Sequence, residues 1–281
     1  MARHILTLTC QDRPGIVHAV SGGLLALGAN IVDSAQFSDD VTGAFFMRMS
    51  FDCDIDDVDV VRQRLTSSLG DLASAVTVHA AVDRTRVLIM VSKLDHCLLD
   101  LLYRWRTGDL HVDLTCVVSN HDDLRSVVEE AGIPYHWVPV TPESKPAAEA
   151  EMIRLVEHYD AELVVLARYM QVLSDQACRD LGGRAINIHH SFLPGFKGAR
   201  PYHQAHARGV KLIGATAHYV TSDLDEGPII EQDVVRVTHA GTADELVAVG
   251  RDVERRVLSE AVRVHSEHRV FLADGRTVVF A

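Results

Sequence analysis

The chain has 281 residues, 27 basic and 39 acidic, giving a net charge of −12, and 47% of its side chains are hydrophobic. At about 150 residues per domain, that length predicts two domains, each able to bury its own core. Neither half has the basic excess that a phosphate backbone attracts, which argues against nucleic acid as a partner. No apolar run approaches the ~20 residues of a membrane span, and the polar start Met1-Ala2-Arg3-His4 is unlike a signal peptide. Cys10, Cys53, Cys97, Cys116 and Cys178 are scattered, without a C-x-x-C pair. That pattern predicts reduced thiols in a cytoplasmic protein and no disulfide framework or thiolate zinc site.

Residues 1–83 read as a ferredoxin-like β-α-β-β-α-β unit. His4–Cys10 alternates like a strand. Asp12-Arg13-Pro14-Gly15 offers a cap and a proline to open a helix, whose face is Ile16, Val17, Val20, Leu24 and Leu27 and whose stop is Gly28. Asn30–Phe37 and Gly43–Phe51 follow as strands. Val58, Val61, Leu65 and Leu69 mark a second helix, and Val76–Val82 a last strand.

Residues 84–281 alternate apolar strands (Arg86–Val91, Val112–Val118, Leu163–Ala167, Ala185–His189, Gly214–Val220) with helices (Leu94–Arg106, Asp122–Ala131, Ala147–Tyr159, Ala243–His265). This pattern predicts a Rossmann-like α/β domain with a mostly parallel sheet. Ser92 and Asp95 are spaced like a capping box. Val270–Leu272 and Thr277–Phe280 form a hairpin through Asp274-Gly275, which contiguity assigns to the second domain.

The chemistry concentrates where one strand runs out. Ile186-Asn187-Ile188-His189-His190-Ser191 ends an apolar strand in polar residues, then enters a loop broken by Pro194, Gly195 and Gly198. Carboxyl ends of parallel strands line the crevice where ligands bind. Asn187 and His189, two residues apart, share a face, and an amide beside an imidazole suits a reaction that builds negative charge on oxygen. The same pair could equally satisfy hydrogen bonds at a strand end. As neighbours on a strand, His189 and His190 face opposite sides and make a poor metal pair, and no metal is expected. Thr221-Ser222-Asp223-Leu224-Asp225-Glu226-Gly227-Pro228 is either a solvated turn or the source of a carboxylate that folds back to orient His189. With no G-x-S-x-G elbow and no phosphate-binding glycine loop, water or a substrate amine is the expected nucleophile.

Asn187-Ile188-His189, Ser191-Phe192-Leu193-Pro194, Phe196-Lys197-Gly198 and Asp225-Glu226-Gly227-Pro228-Ile229-Ile230 together resemble the 10-formyltetrahydrofolate-dependent formyltransferase fold. Asp12-Arg13-Pro14-Gly15-Ile16 with Leu27-Gly28-Ala29-Asn30-Ile31 resembles an ACT regulatory domain. The pairing, ACT (1–83) then formyltransferase fold (84–281), resembles the formyltetrahydrofolate deformylase family. The resemblance implies hydrolysis of 10-formyltetrahydrofolate to formate and tetrahydrofolate, supplying formate for purine biosynthesis and balancing the one-carbon folate pool. Formyl transfer to a small amine such as glycinamide ribonucleotide is the alternative. It further implies that Asn187 donates to the formyl oxygen, that His189 moves protons and that Asp225 holds His189 and handles the nucleophile's proton. Met170, Gln171, Leu173, His218, Thr221, Ser222 and Asp223 would line the folate pocket, with ordinary core packing as the alternative for Met170 and Leu173. No metal or nucleotide cofactor is implied.

Relatives that formylate glycinamide ribonucleotide place a glycine-rich phosphate loop after the first strand of this domain. Here Ser92-Lys93-Leu94-Asp95-His96-Cys97-Leu98 has no glycine, which favours water as acceptor. The ACT resemblance implies a homo-oligomer and an amino-acid effector, glycine or methionine, held around Asp12, Gly15, Gly28, Asn30 and Ile31; a purely structural or oligomerising module is the alternative.

Overall fold

The computed structural model describes residues 1–193 and 201–281; the Pro194–Gly198 part of the motif lies outside the described residues. The chain divides into two compact units, Met1–Asp83 with Glu267–Ala281, and Arg84–Ser266.

The first unit is built on β1 (Ala2–Gln11), β2 (Asn30–Asp39), β3 (Ala44–Cys53) and β4 (Val76–Ala80), in antiparallel order β2-β3-β1-β4. Leu6 and Leu8 of β1 and Phe45, Met47, Met49 and Phe51 of β3 meet Ile16, Val20 and Leu24 of α1 (Ile16–Ala26) and Val61, Leu65 and Leu69 of α2 (Val58–Leu69) in one core. Asp57 caps α2 through Asp59 N (2.9 Å) and Val60 N (3.2 Å). The expected Asp12 cap of α1 does not form. Gly15, at φ +94°, occupies that position without a side-chain bond, and the Asp12 carboxylate instead accepts from Ser38 Oγ at 2.5 Å.

A second departure concerns the chain's end. β12 (Val270–Ala273) and β13 (Arg276–Val279) form the expected hairpin, with Asp274 and Gly275 both at positive φ as a tight primed turn requires. The hairpin belongs to the first unit and not the second. The cause is Phe46: it points away from Met47 and its helices, so the sheet's other face needs its own cover. Phe271, Ala273 and Phe280 supply it. Arg48 Nε donates to Glu267 O at 3.1 Å, and Arg276 pairs with Asp39 at 2.8 Å.

The second unit holds a seven-stranded sheet in the order β11-β10-β9-β8-β5-β6-β7. Its strands are β5 (Thr85–Val91), β6 (Val112–Ser119), β7 (Tyr135–Trp137), β8 (Leu163–Leu166), β9 (Ala185–His189), β10 (Leu212–Tyr219) and β11 (Ile229–Arg236). β5 to β9 run parallel, while β10 and β11 run antiparallel at one side. Because β6 and β8 flank β5 on opposite sides, strand order reverses there and opens a crevice at the strands' carboxyl ends. The helices are α3 (His96–Thr107), α4 (Arg125–Glu130), α5 (Lys145–His158), α6 (Asp175–Asp180), α7 (Pro201–Ala207) and α8 (Ala243–Ser266). The short β7, α6 and α7 escape the periodicity reading, as does β11, whose polar middle, Glu231-Gln232-Asp233, hides its alternation.

The capping box at Ser92 and Asp95 is also absent: Asp95 makes no side-chain cap. Ser92 Oγ donates to Asn120 Oδ1 (2.7 Å) and accepts from Met170 N (2.9 Å), tying the loop after β5 to the loop after β8. Among the described residues, no helix is long and apolar enough to cross a membrane.

Candidate active site

β9 carries Asn187 and His189 to the crevice, and β10 pairs alongside with His218 opposite Asn187. His218 Nδ1 lies 2.8 Å from Tyr219 O. A carbonyl can only accept, so Nδ1 bears the hydrogen, and in the neutral ring Nε2 then offers a lone pair. Asn187 Nδ2 donates to it at 3.2 Å. His218 thereby fixes which end of the amide is which and leaves the second N–H of Asn187 unused by this bond.

The 220–228 loop then folds back, as one of the two readings of that stretch requires. Tyr219 N donates to Pro228 O at 2.9 Å, closing the loop's base. Gly227 lies so close to Tyr219 O that a Cβ would collide with it, which is why only glycine fits there. The closed base delivers Asp225, held in the left-handed region at φ +59°, to His189. Asp225 Oδ1 is 3.1 Å from His189 Nδ1 and 3.8 Å from His218 Nε2. Burial works to raise the Asp225 pKa, but hydrogen bonding to His189 and then to His218 outweighs it and holds the carboxyl well below the usual range. His189 Nε2 is buried with no hydrogen-bond partner among the described residues. The arrangement is a carboxylate–imidazole pair with one ring nitrogen open and an amide donor nearby.

These side chains line a cleft of about 680 Å³. Met170, Gln171, Leu173, Thr221, Ser222 and Asp223 line it too, as does His218. Met170 is 56% exposed, unlike a core residue. Leu173 faces the cleft and also belongs to the core around α5 and α6. Asn187, His189 and Asp225, distant in sequence, are thus brought together, and every expected folate-pocket residue lies on the same cleft.

His190 departs from expectation. The strand stops at His189, so alternation does not extend one residue further, and the two imidazoles stack at 5.1 Å instead of facing opposite sides. Burial, then the charges of Arg168 and His189, push the His190 pKa down to about 3, so its ring is uncharged at neutral pH.

Behind His190 lies a cluster that the sequence reading missed. Glu254 of α8 is 1% exposed. It accepts from Tyr202 OH at 2.8 Å, lies 2.8 Å from His96 Nε2 and is 3.4 Å from Arg168 Nε. Burial works against the Glu254 carboxylate, but His96 and Arg168 prevail and hold its pKa below the ordinary value. Its signal in the sequence was position: Glu254 falls at helical spacing between Gly250 and Leu258, on the buried face. His96, Cys97 and Glu254 come within 4.8 Å of one another, close enough to hold a metal ion. Both Glu254 oxygens already have partners, and the adjacent guanidinium opposes a cation, so the trio fits an ion poorly.

In the first unit, Gly15 and Gly28 flank α1 at opposite ends, about 18 Å apart at 1.5 Å per residue. Asp12 lies on the Gly15 side, whereas Asn30 and Ile31 begin β2 on the other. One copy therefore does not gather these five residues around one small ligand.

The sheet with its reversal of strand order, the Asn187–His189–Asp225 grouping and the separate β-α-β-β-α-β unit define a formyl transferase-type domain joined to an ACT domain. Comparison agrees: residues 85–262 match the formyl transferase family and residues 4–70 the ACT domain. A formyltetrahydrofolate deformylase from Corynebacterium sp. (strain P-1) is 52% identical over 279 residues, covering 99% of this chain and 98% of that protein. The crystal structure of formyltetrahydrofolate deformylase from Burkholderia mallei superposes with a TM-score of 0.95 at 50% identity, over 100% of both chains. Glycinamide ribonucleotide transformylase 1 from Symbiobacterium toebii reaches a TM-score of 0.66 at 29% identity, over 70% of this chain and 95% of that one. The chain belongs to the formyltetrahydrofolate deformylase family.

Proposed function

We propose that the cleft carries out hydrolysis of 10-formyltetrahydrofolate to formate and tetrahydrofolate through Asn187, His189 and Asp225, without a metal or nucleotide cofactor. The observation that carries this reading is the His189 ring, bonded to Asp225 through Nδ1 at 3.1 Å while Nε2 has no partner among the described residues. In that tautomer Nε2 accepts a proton from water as the water oxygen bonds to the formyl carbon. Asp225, kept ionised, stabilises the imidazolium that forms. The free N–H of Asn187 donates to the formyl oxygen, where negative charge develops. His189 then returns its proton to N10, the N10–carbon bond breaks, and the formic acid released gives its proton to solvent. The reduced pterin lies along Met170–Leu173 and the 221–223 backbone, apolar surface on one side and polar edge on the other.

The test is to incubate the enzyme with 10-formyltetrahydrofolate in amine-free buffer. Stoichiometric formate and tetrahydrofolate support the reading; turnover only when an amine is added assigns the site to transfer instead.

The ACT unit has the character of a small-molecule sensor, with glycine or methionine as effector. Since one copy spreads Asp12 and Gly15 away from Gly28, Asn30 and Ile31, the effector is held between two copies in a homo-oligomer. Either amino acid is expected to change the rate of formate release. No response to any of the twenty amino acids assigns this unit a purely structural role.

A further inference from the structure

Arg168 is an unusual residue to find on the wall of this cleft. It is 8% exposed, and its backbone sits at φ +64°, a conformation that side chains with a Cβ rarely adopt and that clusters at ligand clamps. Ser92 holds it there: Ser92 N donates to Arg168 O at 3.3 Å, and Ser92 Oγ accepts from Met170 N at 2.9 Å. The guanidinium has a counter-charge in Glu254, 3.4 Å from Nε, but makes no hydrogen bond to it; the Glu254 oxygens lie 2.8 Å from Tyr202 OH and His96 Nε2. Nε and Nη1 are buried with no hydrogen-bond partner among the described residues. Buried donors of a charged group are costly to leave unmet, and a guanidinium fork matches a carboxylate. The neighbourhood is that of the reacting carbon: Arg168 lines the same cleft as His189 and His190, whose rings stack on each other.

We infer that Arg168 binds the carboxylate of the departing one-carbon product, formate, in a subsite of the cleft behind His190. This rests on the deformylase reading. When the N10–carbon bond breaks, N10 gains the proton held by His189, and the carbon leaves with two oxygens, one from the formyl group and one from water. The carboxylic proton goes to solvent, and the resulting anion takes the open Arg168 donors. Stacked His190, uncharged, forms a wall and not a competing cation.

The experiment is a titration of the intact chain with carbon-13 formate, read by line broadening and by product inhibition of tetrahydrofolate formation. Arg168→Lys keeps the charge and loses the planar fork; it is expected to weaken formate at least fivefold. Glu254→Gln keeps the shape that Tyr202 and His96 contact while removing the competing negative charge; it is expected to tighten formate several-fold. A merely structural role for the pair predicts the same direction for both variants. Formate affinity unchanged in Arg168→Lys, or not tightened in Glu254→Gln, overturns the inference. Formate release by the unmodified enzyme in amine-free buffer is scored separately, so failure of the hydrolase reading is distinguishable from failure of the subsite.

Discussion

Replacing Asp225 by Asn changes one atom and little else. Asparagine tolerates the left-handed backbone that Asp225 adopts at φ +59°, so the 220–228 loop keeps its path. What changes is the contact at 3.1 Å with His189 Nδ1. If the amide nitrogen turns inward, Nδ1 must accept and the ring hydrogen moves to Nε2, the atom that should receive water's proton. If the amide oxygen turns inward, the tautomer survives but no carboxylate stabilises the imidazolium. Either outcome is expected to lower turnover by about 10²–10⁴-fold, or about 3–5 kcal/mol of barrier. KM should change little, because Asp225 sits with the reacting atoms and not under the pterin. Asp225→Ala should show the same loss, and about 1–2 kcal/mol of instability in addition, for placing alanine in the left-handed region. The native carboxyl's pKa lies below its unfolded value. Its stabilisation is therefore present above the unfolded pKa of ~3.9 and lost as pH falls through the folded value; Asp225→Asn should remove that part of the acid limb. Single-turnover formate release and urea unfolding across pH measure both effects. Asp225→Asn turning over within threefold of the parent would refute the proposed division of labour.

Asn187→Ala is expected to cost roughly 2.7–4 kcal/mol in kcat/KM, the range for losing one donor to a developing oxyanion, and a loss below tenfold in steady-state assays removes it from that role. Gly227→Ala drives a Cβ into Tyr219 O and to 3.1 Å from His218 Nδ1. Overpacking of this kind costs about 1–3 kcal/mol, and urea unfolding should show it together with falling activity, since the same loop carries Asp225; unchanged stability would mean the loop base relaxes freely. His265, holding Tyr219 OH at 2.6 Å, is pushed down to about 4 by burial. The unfolded chain takes that proton from ~6.5 downward and the folded one does not, so stability should fall between about pH 6.5 and 4 with a slope approaching about 1.4 kcal/mol per pH unit. His265→Gln should flatten that slope, and an equally steep profile in this variant would assign the loss to other groups.

Where burial is one-sided and local, residue order sufficed. α2 begins and ends at Val58 and Leu69 as the spacing predicts, and β9 spans the anticipated Ala185–His189. The boundary errors have physical reasons. Asp12 found Ser38 and Ser92 found Asn120 and Met170, partners remote in the chain that outcompete a local cap. His190 was misplaced because a strand's alternation ends where its ladder does. Arg168 adjoins the expected pocket residues Met170, Gln171 and Leu173 but was given no role of its own, and Glu254 was overlooked because it lies in a long amphipathic helix that reads as ordinary structure.

Periodicity, cap chemistry and the polar end of one apolar strand are properties of neighbours along the chain, and the order of residues alone established two α/β units and pointed to Asn187 and His189. Long-range closure is not such a property. Whether Asp225 returned to His189 depended on the Tyr219–Pro228 base and on a glycine that lets the loop pass. Whether the last fifteen residues joined the first unit depended on a phenylalanine facing the far side of β3. Both are decided by which surfaces remain uncovered once the sheets have formed, and only the folded chain contains that information.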